Sequence, residues 1–198
     1  IVVNSPTNEI EIGEFFDLYR EYRKNCCCNP WIDKPEVSLS EEVEINFAKW
    51  RQASRRLYPT HPLRKNEDKT LIDQAVNILF ENYKDIEPEF QHGHFSARDL
   101  YRAKNGEMVI LSNLYWSWKP PFYDAVFGQH WFIYHLAEVN NINPGIVESQ
   151  RSLWLAKINN LATGEKDKKL LKLALLERAA AGLNLDALSV DLKSPIAE

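Results

Sequence analysis

Two histidines flank a glycine in the run Gln91-His92-Gly93-His94, an acid stands at Asp99 five residues after the second histidine, and an amide follows at Asn113. These are the side chains with the clearest chemical potential. His92 and His94, two apart, point the same way on a strand, as two ligands of one metal must. A catalytic zinc needs a third protein ligand, and the remaining histidines, His61, His130 and His135, form no H-E-x-x-H arrangement. His130 and His135 are five apart and do not share a helical face. A metal-dependent hydrolase on His92 and His94 is therefore the most distant reading. Nucleophilic catalysis has no G-x-S-x-G elbow to rest on, and the run Cys26-Cys27-Cys28 has no histidine beside it.

Phosphoryl transfer accounts for more of the pattern. It needs a base or orienting group near the attacking hydroxyl and oxygen ligands for Mg²⁺. His94 can accept a hydroxyl proton near neutral pH. Asp99 and Asn113 offer one carboxylate and one amide as metal ligands. Between them, Asp99-Leu100-Tyr101-Arg102-Ala103 and Glu107-Met108-Val109-Ile110-Leu111-Ser112 flank Lys104-Asn105-Gly106, and Asn-Gly between extended runs is a strong hairpin signal.

In this order of residues, the stretch resembles the catalytic region of the aminoglycoside phosphotransferase and choline kinase superfamily, within the protein-kinase-like fold. Members carry an H-G-D-x-x-x-x-N loop, a strand pair, and a metal-binding aspartate. Here QHGHFSARDL would fill the loop and VILSNLYW the metal segment, while PPFYDAVF is similar to the family's P-x-Y-D-L-A run. The resemblance implies that Asp124 opens a helix and braces the loop, that His92 is a structural loop residue, and that Mg²⁺ and ATP serve as cofactors only if the family activity survives. It implies the large C-terminal lobe of that fold over residues 10 to 182. His92, Gly93 and Asp124 agree with the motif. His94 replaces the catalytic aspartate, Asp99 the loop asparagine and Asn113 the metal aspartate. Losing the base and the carboxylate ligand together removes the positioning and charge on which transfer depends. The expectation is a phosphotransferase-like domain with a degenerate loop, a pseudoenzyme or binding module. The alternative is an active small-molecule phosphotransferase using His94, Asp99 and Asn113 in unorthodox roles. Its partner is then a protein or a small hydroxyl-bearing molecule, and an aminoglycoside acceptor calls for acids such as Glu138 and Glu148.

The elements that must position these residues are mostly helical. Ile12, Phe15, Phe16, Tyr19 and Tyr22 follow helical spacing over 9 to 24. Ser40 caps a second helix with Glu41 and Glu42 in its first turn, and Val43, Phe47, Trp50, Ser54 and Leu57 mark its face. A third helix over 67 to 84 aligns Ile72, Ala75, Val76, Leu79 and Tyr83. Tyr115-Trp116-Ser117-Trp118-Lys119-Pro120-Pro121 reads as an aromatic loop, with Trp116, Trp118 and Phe122 covering the hairpin. A fourth helix carries Phe122, Ala125, Val126, Phe132, Ile133 and Leu136. Asn143-Pro144-Gly145 opens a fifth, a Leu- and Ala-rich sixth spans 165 to 181, and a short seventh covers 184 to 189. The class is mainly α with a small β-hairpin, read as one domain over 1 to 198 with an extended lead-in at 1 to 9 and a loose tail at 190 to 198.

Bulk properties narrow the function. At 198 residues and 44% hydrophobic content the chain can bury a sizeable core. A net charge of −4 and a pI near 5.8 argue against nucleic acid as partner, and the run Arg51, Arg55, Arg56 reads as a solvated helix face. There is no apolar run of membrane-spanning length and no signal-peptide pattern. Three adjacent cysteines make no disulfide framework, which points to a reducing, cytoplasmic setting. The seven glycines give neither G-x-G-x-x-G nor a Walker loop, and no set of strands precedes residue 90, so the nucleotide-binding small lobe is not expected in this chain. Ile1 in place of an initiator Met fits a trimmed or partial chain.

Overall fold

The computed structural model describes residues 9–61, 66–137 and 143–189. Six helices run in order, α1 (Glu9–Asn25), α2 (Leu39–Leu57), α3 (Asn66–Tyr83), α4 (Tyr123–Ala137), α5 (Pro144–Asn159) and α6 (Glu165–Asn184). Four three-residue strands fall between α3 and α4: β1 (Glu89–Gln91), β2 (Leu100–Arg102), β3 (Met108–Ile110) and β4 (Ser117–Lys119). The protein is thus mainly helical with a small β part, as the periodicities suggest. The lead-in at residues 1–8, the tail at 190–198 and Glu138 lie outside the described residues. None of the described helices is long and apolar enough to cross a membrane.

The chain forms two compact units, Ile1–Lys34 with Glu89–Leu171, and Pro35–Pro88 with Lys172–Glu198. In the second unit, Leu39, Val43 and Phe47 of α2 pack with Ile72, Ala75, Leu79 and Tyr83 of α3 and with Leu173, Ala180 and Ala181 of α6. Its N-terminal boundary corrects the sequence reading. Ser38 caps α2, its hydroxyl accepting from Glu41 N at 3.3 Å while the Glu41 carboxylate accepts from Ser38 N at 2.9 Å. This reciprocal box satisfies two otherwise orphaned donors. Ser40, two residues on, is buried and donates to the Phe80 carbonyl at 2.8 Å. Leu57 is exposed rather than part of the apolar face, because α2 ends there and Tyr58 N closes on Ser54 O.

The first unit holds the sequence's catalytic-looking stretch. Its core is aromatic: Phe15, Phe16 and Tyr22 of α1, Phe95, Phe132 of α4 and Trp154 of α5 are all buried. The ring of Phe15 meets that of Trp154 edge-on at 4.6 Å, and Tyr22 stacks on Phe95 at 4.6 Å. Such pairs add about 0.5–1.5 kcal/mol each beyond their burial. The expected hairpin is present, β2 pairing antiparallel with β3 in the register Leu100↔Ile110, Tyr101↔Val109, Arg102↔Met108. Gly106 takes φ +89, and Asn105 Oδ1 accepts from Glu107 N at 3.1 Å, so each residue of the Asn-Gly pair does what the turn demands.

A second strand pair corrects the loop expected at 115 to 121. β4 pairs antiparallel with β1 through Glu89↔Lys119, Phe90↔Trp118 and Gln91↔Ser117. Three-residue strands give too little alternation to read from sequence. Trp116, just ahead of β4, is buried against Phe90 of β1, with stacked rings 5.4 Å apart. Phe122, expected in the fourth helix, precedes α4 with a positive φ of 68. Gln91 links this pair to α4, donating from Nε2 to the Pro120 carbonyl at 2.7 Å and accepting on Oε1 from Asp124 N at 3.2 Å.

Candidate functional site

The stretch from Gln91 to Asp99 is held from below by Asp124, in the first turn of α4. Its side chain is fully buried, and one oxygen accepts from His92 N at 2.9 Å and the Tyr22 hydroxyl at 2.7 Å. The other oxygen accepts from Gly93 N at 2.9 Å. The Tyr22 hydroxyl also accepts from His92 N at 2.7 Å, so the loop backbone, α1 and α4 meet in one polar knot. Full burial pushes the Asp124 carboxyl upward, while Tyr22, the nearby His92 and the two backbone donors pull it back. Burial and the Asp124 charge raise the Tyr22 phenol, so it stays a neutral donor.

His92 is fully buried. Its Nε2 pairs with the Leu111 carbonyl at 2.7 Å, which requires a proton on that nitrogen. Burial lowers the pKa of the ring, leaving it neutral, and Nδ1 has no partner among the described residues. The first histidine thus ties the loop to the strand end after β3. Among the described residues no group of three His, Cys, Asp or Glu side chains converges as a metal site.

His94 and Asp99 come together. His94 Nδ1 lies 2.8 Å from one Asp99 oxygen, which also accepts from the Ser96 hydroxyl at 2.6 Å. The other oxygen accepts from the Ser112 hydroxyl at 2.5 Å. Partial burial pushes the Asp99 carboxyl up, but hydrogen bonds from His94, Ser112 and Ser96 outweigh it and hold its pKa at about 2. An ionised Asp99 cannot donate, so Nδ1 of His94 carries the proton and Nε2 is left as the basic nitrogen of the neutral ring. The imidazole stacks on Tyr115 at 4.7 Å and meets Phe127 at 4.8 Å, with its side chain 30% exposed. The hairpin brings in the serine: Leu111 N bonds to Asp99 O at 2.8 Å, which sets Ser112 opposite the acid. Ser112 reaches it from a left-handed backbone conformation, φ 62 and ψ 41, uncommon for a residue with a side chain.

Asn113 is exposed, and its carboxamide oxygen accepts from Trp116 Nε1 at 3.3 Å. Asp99 and Asn113 thus have protein partners of their own, whereas Glu148 is exposed on α5 and pairs with Arg151 at 3.5 Å. Three residues of the constellation escape a sequence reading. Ser96 has a local signal, since S-x-x-D is a turn and capping pattern. Tyr22 and Ser112 have none, because their partners are distant in sequence and meet only through the fold.

The depressed pKa of Asp99 has a measurable consequence. A carboxyl at about 2 in the folded protein and near 3.9 unfolded adds stability that is complete above about pH 4. That contribution, on the order of 2 kcal/mol, is lost as pH falls from about 4 to 2. In denaturant titrations, Asp99→Asn should be less stable than the parent at pH 6, with the gap closing by pH 2. A gap independent of pH would mean that packing, not the charge, is what Asp99 supplies.

No family model, no curated protein and no solved structure matches the chain. The functional reading therefore rests on the geometry of the loop.

Proposed function

We propose that the protein is a phosphotransferase-like domain, similar to a kinase-type large lobe, whose loop has lost its transfer catalyst and which works as a binding module. The observation that carries this reading is the division within the loop. The brace made by Asp124, Tyr22 and the backbone of His92 and Gly93 is complete. The reacting position instead holds an imidazole tied to Asp99, whose two oxygens take three side-chain donors. A scaffold kept without its catalyst suits recognition better than turnover. The ligand class is a protein surface or a small hydroxyl-bearing molecule.

A second reading has one specific observation in its favour. The His94–Asp99 pair fixes the tautomer that leaves Nε2 basic, as a general base requires. In that reading His94 takes the acceptor hydroxyl proton, Asp99 and Asn113 contribute to Mg²⁺, and nucleotide comes from a lobe outside this chain.

Calorimetric titration of Mg²⁺ and ATP separates the two. The binding module should give no Mg²⁺-dependent heat. Saturable Mg²⁺-dependent binding that disappears in Asp99→Asn would replace the first reading with the second.

A further inference from the structure

One ring nitrogen of the loop's second histidine is left open. Nδ1 of His94 is committed to Asp99 at 2.8 Å, whereas Nε2 has no hydrogen-bond partner among the described residues and, unlike Nδ1 of His92, is not closed off from solvent. Aromatic neighbours hold the ring in place, Tyr115 stacked at 4.7 Å, Phe127 at 4.8 Å and Trp131 at 6.1 Å. In a nucleophilic triad the basic nitrogen serves a serine or cysteine, whose oxygen or sulfur then attacks. Here the two hydroxyls of the cluster, Ser96 and Ser112, both donate to Asp99, at 2.6 and 2.5 Å. An electrophile arriving from solvent therefore meets Nε2 itself. His92 shows the contrast, since it is fully buried and its Nε2 is already paired with the Leu111 carbonyl.

We propose that His94 Nε2 is a phosphoryl-acceptor site, on which the protein carries the group as Nε2-phosphohistidine. The donor is a small phosphoryl compound with a good leaving group, of which phosphoramidate is the simplest. The Nε2 lone pair forms the new N–P bond, and the donor's own P–N bond breaks with its electron pair leaving on ammonia. The donor nitrogen already carries three protons, so no proton has to be supplied. Nδ1 keeps its proton, and the positive charge that the ring acquires faces the Asp99 carboxylate. Asp99 is thus a positioning residue: by holding the proton on Nδ1 it makes Nε2 the nucleophile, and Ser96 and Ser112 hold Asp99 in turn. Persistence selects phosphoryl over acyl. An acyl imidazole hydrolyses quickly in water, whereas phosphohistidine outlasts it at neutral pH and can pass its group on. The site goes beyond the binding-module reading and does not depend on it, because transfer to His94 needs neither Mg²⁺ nor a nucleotide lobe.

The test incubates the full chain with potassium phosphoramidate, which is selective for imidazole, without Mg²⁺ or nucleotide. Fragmentation mass spectrometry should place the label on His94, and ³¹P and ¹⁵N resonances should place it on Nε2. His94 should react about tenfold faster than any of the other four of the five histidines, and urea should erase that preference. His94→Asn should remove the label. Asp99→Ala should slow labelling about tenfold and spread it over both ring nitrogens, a change of position that a loosened loop alone does not produce. No label on His94 of the parent protein, or labelling at the rate of the other histidines, overturns the proposal, and this measurement decides whether or not Asp99→Ala folds. Label confined to Nε2 in a folded Asp99→Ala overturns the role given to Asp99.

Discussion

Asp124→Ala should lower the stability of the protein by on the order of 3–5 kcal/mol, the largest loss expected of any single polar substitution here. Three donors converge on this carboxylate: Tyr22 Oη, His92 N and Gly93 N. Alanine leaves them in a site with no solvent exposure, where each unsatisfied group costs about 1–3 kcal/mol. The Tyr22 hydroxyl still accepts from His92 N in the variant, which keeps the total below the simple sum. At roughly 2–4 °C per kcal/mol for a chain of this size, the midpoint of thermal unfolding should fall by on the order of 10 °C. A graded series gives the claim its edge. Tyr22→Phe removes one donor and leaves His92 N on Asp124, so it should cost only about 1–2 kcal/mol. Asp124→Asn keeps the shape but must turn its amide N–H₂ toward a donor, and should fall between the two. Amide exchange at His92 and Gly93 should quicken in the same order. If Asp124→Ala and Tyr22→Phe cost the same, the backbone contacts are not what the carboxylate supplies.

How much of this was legible in the sequence depends on the range of the interactions. Apolar periodicity placed α1 and α3 well, since Ile12, Phe15, Phe16, Tyr19 and Tyr22 are all buried and Ile72, Ala75, Leu79 and Tyr83 lie in one core. The Asn105-Gly106 turn was equally readable, because a positive φ at Gly106 is a local demand with a local residue signature. The start of α2 was misplaced because Ser38 and Ser40 both suit a cap. Only the reciprocal bond from Glu41 and the burial of Ser40 against Phe80 O decide between them. β1 and β4 were hidden by their three-residue length. In the site, spacing drew attention to His92, His94, Asp99 and Asn113 but assigned no partners, while Asp124 came in only through the family resemblance. That His94 meets Asp99 follows from the turn between them, with Ser96 N on His94 O and Asp99 N on Ser96 O. That Ser112 completes the acid's shell, and that Tyr22 joins the brace, required two non-local alignments no single-chain pattern encodes. The same non-locality limits functional inference: a motif fixes where chemistry is possible, and packing decides which protons are held.

Gly93→Ala should be the second most damaging substitution in the loop, and it tests the packing from the opposite side. Gly93 adopts φ +77, a region that costs a residue with a side chain about 1–2 kcal/mol. Strain is only part of the effect. A Cβ at this position would lie 2.5 Å from the Tyr115 carbonyl oxygen and 3.4 Å from its carbonyl carbon. Backbone cannot rotate out of the way as a flexible side chain would, so the segment from Asn113 to Tyr115 has to shift. With overpacking typically adding about 1–3 kcal/mol, the total should reach roughly 2–5 kcal/mol. Gly106 supplies an internal control. Its φ is +89, yet a Cβ there meets nothing within 4 Å, so Gly106→Ala should cost only the strain, about 1–2 kcal/mol. The excess at Gly93 is then the steric term alone. It should also reach His94, because Tyr115 stacks on that imidazole at 4.7 Å, and moving one ring unseats the other. The His94 ring resonances should shift in Gly93→Ala and stay in place in Gly106→Ala. Equal destabilisation by the two substitutions would show that Tyr115 does not press on the loop, and that the stacked ring is not what keeps His94 turned toward Asp99.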